Sequence, residues 1–99
     1  MIVHFNNDGA FECSFSVQWD GGQTERTSEV GMGNSGGGVD LDLSNEGIPD
    51  GTSCWARAYI IDGPNHDSGD NFTYHANGSE VTYTISGTTF SPSFSCDGC

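Results

Sequence analysis

Apolar and polar residues alternate along much of the chain, and a period of two predicts β-strands. The clearest stretch is "FECSFSVQW", in which every second residue from Phe11 to Trp19 is apolar or cysteine. This alternation predicts a strand with one face in a core and the other face in solvent. No window of the sequence carries apolar residues at the spacing of three and four that indicates an amphipathic helix. The pattern therefore predicts an all-β protein.

Strand candidates recur at short intervals, separated by turns rich in glycine, asparagine and aspartate. Eight candidates span residues 2–6, 11–19, 24–30, 38–43, 52–61, 71–75, 80–86 and 90–96. Short strands at this spacing predict an antiparallel sandwich of two sheets. We therefore predict one domain, residues 1–99, folded as an eight-stranded antiparallel β-sandwich of two four-stranded sheets.

The order of the strands predicts which loops meet. If each strand reverses the direction of the one before it, the loops after strands one, three, five and seven lie at one end, here called the tip. Those loops are "NNDG", "GMGNSGGG", "DGPNHDSGD" and "GTT". Phe90 follows the last of them, so we predict that it is at least partly exposed at the tip, beside the most acidic loop.

The net charge of the chain limits the classes of partner that it can bind. It has 14 acidic residues, two arginines and no lysine, for a net charge of −12. Nucleic acids and anionic lipids both require a basic surface, so neither is an expected partner. Neutral sugars, neutral lipid surfaces, metal cations and basic proteins remain compatible with this charge.

The four cysteines, Cys13, Cys54, Cys96 and Cys99, indicate an oxidising environment. The terminal "CDGC" has a metal-binding and redox spacing, but no second pair of ligands accompanies it. Strand five begins, and strand eight ends, at the same pole, so we predict a disulfide from Cys54 to Cys96 or Cys99. The start of the chain shows no signal peptide and no segment is apolar enough to span a membrane, and we expect a secreted or cell-surface protein.

Both ends of the sequence resemble a known domain. "HFNNDGAFECSFSVQW" is similar to the opening of the C-terminal, membrane-binding domain of thiol-activated, cholesterol-dependent cytolysins, and "SGTTFSP" is similar to its last tip loop. The resemblance implies a four-plus-four-stranded sandwich with functional loops at one tip. It also implies that the sterol-sensing pair of that family falls on Thr89 and Phe90. The acidic "DGPNHDSGDN" replaces the family's tryptophan-rich loop, and no counterpart of the pore-forming domains is present, so lysis is not expected.

Small lectins of the slime-mould haemagglutinin type are similar in size and fold, which favours glycan recognition. Polar side chains that pair with hydroxyl groups, beside an aromatic ring, are typical of a sugar site. The predicted ligand-binding residues are Asn7, Asp8, Asn65, His66, Asp67, Asn71, Thr89 and Phe90. The first hypothesis is a non-enzymatic lectin-like module that binds a cell-surface glycan or glycolipid. The alternatives are a sterol-dependent membrane binder and a structural subunit, and crosslinking of cells would require a homo-oligomer or two sites per chain.

Two further interpretations concern individual side chains. Asp62, Asp67 and Asp70 lie within ten residues and could supply oxygen ligands to calcium. The alternative is a solvated polar loop that contains Asx turns. The larger aromatic residues are interpreted as core or sheet-face residues; they are Trp19, Trp55, Tyr59, Tyr74 and Tyr83.

Overall fold

The computed structural model describes residues 1–34 and 36–99, which form two four-stranded sheets. The strands are β1 Ile2–Asn7, β2 Cys13–Trp19, β3 Gly22–Gln23, β4 Val39–Asp42, β5 Ser53–Ile60, β6 His66–Thr73, β7 Val81–Thr88 and β8 Ser91–Asp97. A short 3-10 turn covers Met32–Asn34. No helix in the described part of the chain is long and apolar enough to cross a membrane.

The strand order confirms the predicted sandwich. Sheet A has the order β4-β1-β7-β8, and sheet B has the order β3-β2-β5-β6. Neighbouring strands run antiparallel with one exception, since β1 pairs with β7 in parallel. This pairing follows from strand parity, because the first and seventh strands point in the same direction.

An aromatic cluster joins the sheets in the core. The ring of Phe5 on β1 stacks on the ring of Phe15 on β2, with centroids 4.5 Å apart. Tyr83 on β7 packs beside Phe5 at 6.1 Å, and all three side chains are fully buried. The Tyr83 hydroxyl donates a 2.7 Å hydrogen bond to the backbone carbonyl of Asp70 on β6. The bond satisfies a polar group that burial would otherwise leave without a partner.

The loops that parity assigned to the tip do meet there. The backbone amide of Asp8 donates to the carbonyl of Ile85 at 2.8 Å, so the loop after β1 lies beside β7. The side chain of Asn34, in the glycine-rich loop, donates to Asn6 at the end of β1. The loop after β5 contacts the loop after β7 through Gly63 and Thr89.

The predicted third strand, residues 24–30, is mostly irregular. Regular pairing with β2 is limited to β3, and the chain beyond it contacts β2 through side chains as well as backbone. The hydroxyl of Thr24 accepts from the amide of Val17, and the hydroxyl of Thr27 accepts from the amide of Phe15, each at 3.0 Å. These hydroxyls stand where a regular partner strand would place carbonyl groups, and the alternation in the sequence did not indicate this.

The sixth strand begins earlier than predicted, so the acidic loop before it is shorter than predicted. Residues 66–70 were predicted to lie in a loop, but they belong to β6, and only residues 61–65 separate β5 from β6. A bulge in β6 explains why the sequence pattern did not reveal the start of this strand, because the pairing of β5 with β6 shifts its register between Arg57 and Trp55. Within the bulge the Ser68 hydroxyl accepts from the amide of Ala56 at 3.0 Å, in place of a backbone carbonyl.

The predicted disulfide is wrong. The bridge joins Cys96 to Cys99, while Cys13 and Cys54 are buried free thiols. Cys54 faces the core from sheet B, whereas Cys96 lies on β8 of sheet A. A glycine at position 98, with φ of 92°, allows the tight turn that returns Cys99 to Cys96.

Candidate functional site

The tip gathers most of the exposed large apolar side chains. Among the described residues, the large hydrophobic side chains that are exposed are Ile2, Met32, Ile61 and Phe90. Three of these four lie at the tip, each on a different loop, and Ile2 lies at the opposite pole. Phe90 is the most exposed, with 78% of its surface accessible, which confirms the prediction.

A two-residue turn explains why Phe90 projects from the sandwich. β7 and β8 pair up to Thr88 and Ser91, so only Thr89 and Phe90 remain for the connection. Gly87 opposes Pro92 just before the turn, with φ of 96°, and a Cβ there would lie 2.3 Å from the Ser91 carbonyl oxygen. Glycine permits the two strands to approach at this point, and the side chain at the end of the hairpin is directed away from the core.

Polar residues accompany the apolar ones at the tip. Asp8, Asp62 and Asn65 are exposed on tip loops, and Thr89, the residue before Phe90, is half-buried. Asp62 is the only acidic residue of the 61–65 loop, so this loop is less acidic than the sequence suggested. The ligand-binding roles expected for Asp8, Asn65, Thr89 and Phe90 remain predictions.

Asn7 was predicted to contact a ligand, but it has a structural position. Its side chain is fully buried. The amide nitrogen donates to the carbonyl groups of Phe11, Val30 and Gly31, and the amide oxygen accepts from the backbone of Gly9 at 2.8 Å. Asn7 therefore holds the loop after β1 in place and presents no free polar group to a ligand.

Three other predicted residues lie on β6 and away from the tip loops. Asp67 pairs in register with Arg57, and Asn71 pairs with Trp55, on the solvent face of sheet B. Asp70 belongs to the bulge, where its carbonyl accepts from Tyr83. Their assignment to the tip was wrong because the start of β6 was placed too late along the chain.

His66 occupies an intermediate position. It is the first residue of β6, so it lies next to the loop after β5. Its half-buried ring stacks against Phe94 of β8, with centroids 5.8 Å apart and planes 13° from parallel. This contact closes the open side of the sandwich between β6 and β8.

The three aspartates proposed as calcium ligands do not form a site. Asp62 lies in a tip loop, Asp70 in the bulge, and Asp67 in an ion pair with Arg57. In residues 1–34 and 36–99 no three His, Cys, Asp or Glu side chains come together to hold a metal ion. The hydrogen bond from the Arg57 guanidinium lowers the pKa of the Asp67 carboxyl. The negative charge of Asp67, which was predicted to bind calcium, is therefore neutralised by an arginine.

The outer face of sheet B carries a second group of side chains. Trp55, Arg57 and Tyr59 alternate on β5 and point away from the core, and each is half-buried. The Arg57 guanidinium donates two hydrogen bonds to the Asp67 carboxylate, at 2.6 and 3.0 Å. The Trp55 indole donates to the same carboxylate at 3.3 Å. The period of two in "CWARAYI" indicates that these side chains share a face, but not that they form one connected group.

Neighbouring strands support this face. The Tyr59 hydroxyl shares a 2.9 Å hydrogen bond with Ser16 of β2, and Gln18 donates to Ser16 at 2.6 Å. Arg26 stacks over the ring of Tyr59, with its guanidinium carbon 3.8 Å from the centre of that ring. Both arginines of the protein, Arg26 and Arg57, therefore lie on this one face.

No family model and no curated protein matches the chain. Solved structures give a similarity in fold. Listeriolysin O aligns over 99% of this chain and 22% of its own, with 13% identity and a TM-score of 0.47. A structure described as a Gram-negative toxin aligns over 96% of this chain and 22% of its own, with 18% identity and a TM-score of 0.46. The chain thus spans 22% of the length of each of these two proteins, and both similarities concern the general fold.

Proposed function

We propose that the protein is a non-enzymatic recognition module that attaches to the outer surface of a lipid membrane by its tip. The exposure of Phe90 on the β7–β8 turn is the observation that carries this proposal. Met32 and Ile61 add apolar side chains on two other tip loops. Apolar residues at the ends of adjacent loops are suited to shallow insertion among lipid head groups, because an aromatic ring is favourable at that depth.

The charge of the protein selects the kind of membrane. A net charge of −12 repels anionic lipids, so we expect a zwitterionic surface. Asp8 and Asp62 remain in contact with water at the tip, and they limit insertion to the ring of Phe90 and its immediate neighbours. In this proposal Thr89 and Asn65, both on tip loops, hydrogen-bond a sterol hydroxyl or the head group of a neutral glycolipid.

Liposome sedimentation tests the proposal. The protein is mixed with vesicles of phosphatidylcholine alone, with added cholesterol, or with added galactosylceramide. We expect Phe90→Ala to weaken association by about tenfold or more, since a buried phenylalanine contributes roughly 1.5–3 kcal/mol. The matched control is Ile2→Ala, because Ile2 is an exposed apolar residue at the other pole, with 38% of its surface accessible.

The vesicle compositions separate the finer alternatives. Association that requires cholesterol assigns the tip to a sterol, and association that requires galactosylceramide assigns it to a glycolipid. No association with any of the three, or equal losses in Phe90→Ala and Ile2→Ala, would contradict attachment through the tip. The proposal also implies that the protein is secreted or lies at the cell surface, since a neutral membrane surface that carries glycolipid faces the outside of a cell.

A further inference from the structure

The outer face of sheet B carries large side chains that lie outside the core. The core lies on the opposite side of β5, where Cys54, Ala56 and Ala58 are buried. On the solvent side, the half-buried ring of Trp55 lies in a layer that no other part of the described chain covers fully, whereas Arg26 stacks over the ring of Tyr59. A large ring at a solvent-facing position of a central strand provides a flat apolar area for a ligand.

This area is held in one conformation before any ligand arrives. The Asp67 carboxylate receives three hydrogen bonds, two from Arg57 and one from the indole of Trp55. The indole is thereby fixed in its rotation, and the planar guanidinium lies beside it on the same strand. A surface that is already ordered loses little conformational entropy on binding, which favours affinity.

We propose that this face binds a neutral saccharide, with Trp55 as the stacking platform and the Arg57–Asp67 pair as the hydrogen-bonding group. One side of a pyranose ring consists of C–H groups, which pack against an indole ring. Its hydroxyl groups lie at the edge of the ring, where they can donate to a carboxylate and accept from a guanidinium. Asn71, which pairs with Trp55 in register, lies exposed at the border of the same face.

The charges around Trp55 favour a neutral ligand over an acidic one. Arg57 and Asp67 cancel each other, and Arg26, the other cation of this face, lies over the Tyr59 ring. The remainder of the protein is strongly acidic, and its field repels sialylated or sulfated sugars as it repels other anions.

The proposed saccharide site is separate from the tip. Trp55 lies five positions before Ile60, the last residue of β5, which corresponds to about 17 Å along the strand, and Arg57 lies three positions before it, about 10 Å away. A substitution at one site therefore leaves the contacts of the other intact, and the two can be tested independently.

A glycan array that carries neutral and sialylated oligosaccharides tests the proposal with the full chain. We expect binding to at least one neutral oligosaccharide, and Trp55→Ala should weaken it by roughly tenfold or more. Trp55→Phe keeps an aromatic face and should retain much of the binding. Asp67→Asn removes the charged acceptor and should weaken binding, and Ile2→Ala, at an exposed position of the opposite pole, should bind as the unmodified protein does.

Circular dichroism of each variant separates loss of the site from loss of the fold. If Trp55→Ala does not fold, the comparison of Trp55→Phe with Asp67→Asn decides. Neutral-glycan binding that is retained in Trp55→Phe and lost in folded Asp67→Asn supports the site. The proposal is overturned by failure to bind any neutral oligosaccharide, by binding to sialylated sugars alone, or by unchanged binding in folded Trp55→Ala or Asp67→Asn.

Discussion

Gly63 lies against Thr89 so closely that a Cβ atom at position 63 would be 2.7 Å from the Thr89 methyl carbon. The carbonyl oxygen of Thr89 and a methyl group of Ile60 would also be within 3.2 Å of that atom. The loop after β5 thus supports the turn that presents Phe90. The position of Phe90 depends on sheet B as well as on its own hairpin in sheet A.

Gly63→Ala should displace the turn that carries Phe90. The added methyl group overlaps atoms on two sides, and we expect a loss of about 1–3 kcal/mol in the free energy of unfolding, as for overpacking elsewhere. Association with liposomes should fall in parallel. Gly69→Ala is the matched control, since no atom lies within 4 Å of a Cβ there. Equal effects of the two substitutions in urea unfolding would contradict the role given to this contact.

Tyr83→Phe should loosen the connection between the sheets without disturbing the aromatic cluster. It removes the hydroxyl that donates to the Asp70 carbonyl, which still accepts from the Ser68 hydroxyl at 2.9 Å. Because the acceptor keeps one partner, we expect a loss of only about 0.5–1.5 kcal/mol in the free energy of unfolding. Urea unfolding measures this difference, and an unchanged midpoint would show that the bond between the sheets contributes nothing.

Asn7→Ala should be severely destabilising, although Asn7 was predicted to contact a ligand. The substitution leaves the Phe11 carbonyl and the Gly9 amide without their side-chain partner in a buried place, while the Val30 carbonyl still accepts from the backbone. We expect a loss of about 2–4 kcal/mol. Asn65→Ala, at an exposed position of a tip loop, should change stability by less than about 0.5 kcal/mol. A stable Asn7→Ala protein that binds liposomes poorly would restore the ligand role.

The thiols of Cys13 and Cys54 should be unreactive in the folded protein. Burial raises the pKa of Cys13 to about 12 and that of Cys54 to about 11, so the reactive thiolate is scarce at neutral pH. Titration with a thiol reagent, without reductant, should find no reactive group in the native state and two after denaturation, since Cys96 and Cys99 are bonded. Rapid native reaction of two thiols would contradict the buried positions.

His4 should give the protein a small stability advantage at mildly acidic pH. The hydrogen bond to Asp40 raises the pKa of His4 above its usual value of 6.5 in the folded state. A raised pKa stabilises the protonated form, so the contribution is complete below the unfolded pKa and is lost as the pH rises through the folded pKa. Both side chains are partly exposed, which limits the gain to less than about 1 kcal/mol.

The comparison of His4→Gln with the unmodified protein isolates that contribution. Urea unfolding at about pH 5.5 and about pH 8.5 should show a larger difference between the two proteins at the lower pH. A difference that grows toward higher pH would have the wrong sign for a histidine–carboxylate pair.

The regular parts of the fold could be predicted because their alternation is unbroken. Predicted strands 52–61 and 80–86 correspond to β5 and β7 with shifts of one or two residues at their ends. In both strands, buried side chains occupy every second position through most of the length. Strand parity then placed Phe90 at the tip, because it depends on the number of strands and not on their bounds.

β6 and its bulge could not be read from the sequence. "HDSGDN" has no apolar alternation, since Ser68 fills the buried position and satisfies the backbone with its hydroxyl. A period of two in hydrophobicity indicates apolar burial but does not indicate a buried serine in that role. The same error moved Asp67 and Asn71 to the tip, and it concealed their place beside Trp55.

The contact of residues 24–30 with β2 bears on the solubility of the protein. Hydrogen bonds join this segment to β2 at three places, which are Thr24 with Val17, Thr27 with Phe15, and Val30 with Cys13. The segment therefore advances three residues for every two residues of β2. An incoming strand from another molecule requires free backbone groups at every second residue. The border of sheet B beside β2 presents no such regular row, and it is a poor template for the strand-by-strand growth of a fibril.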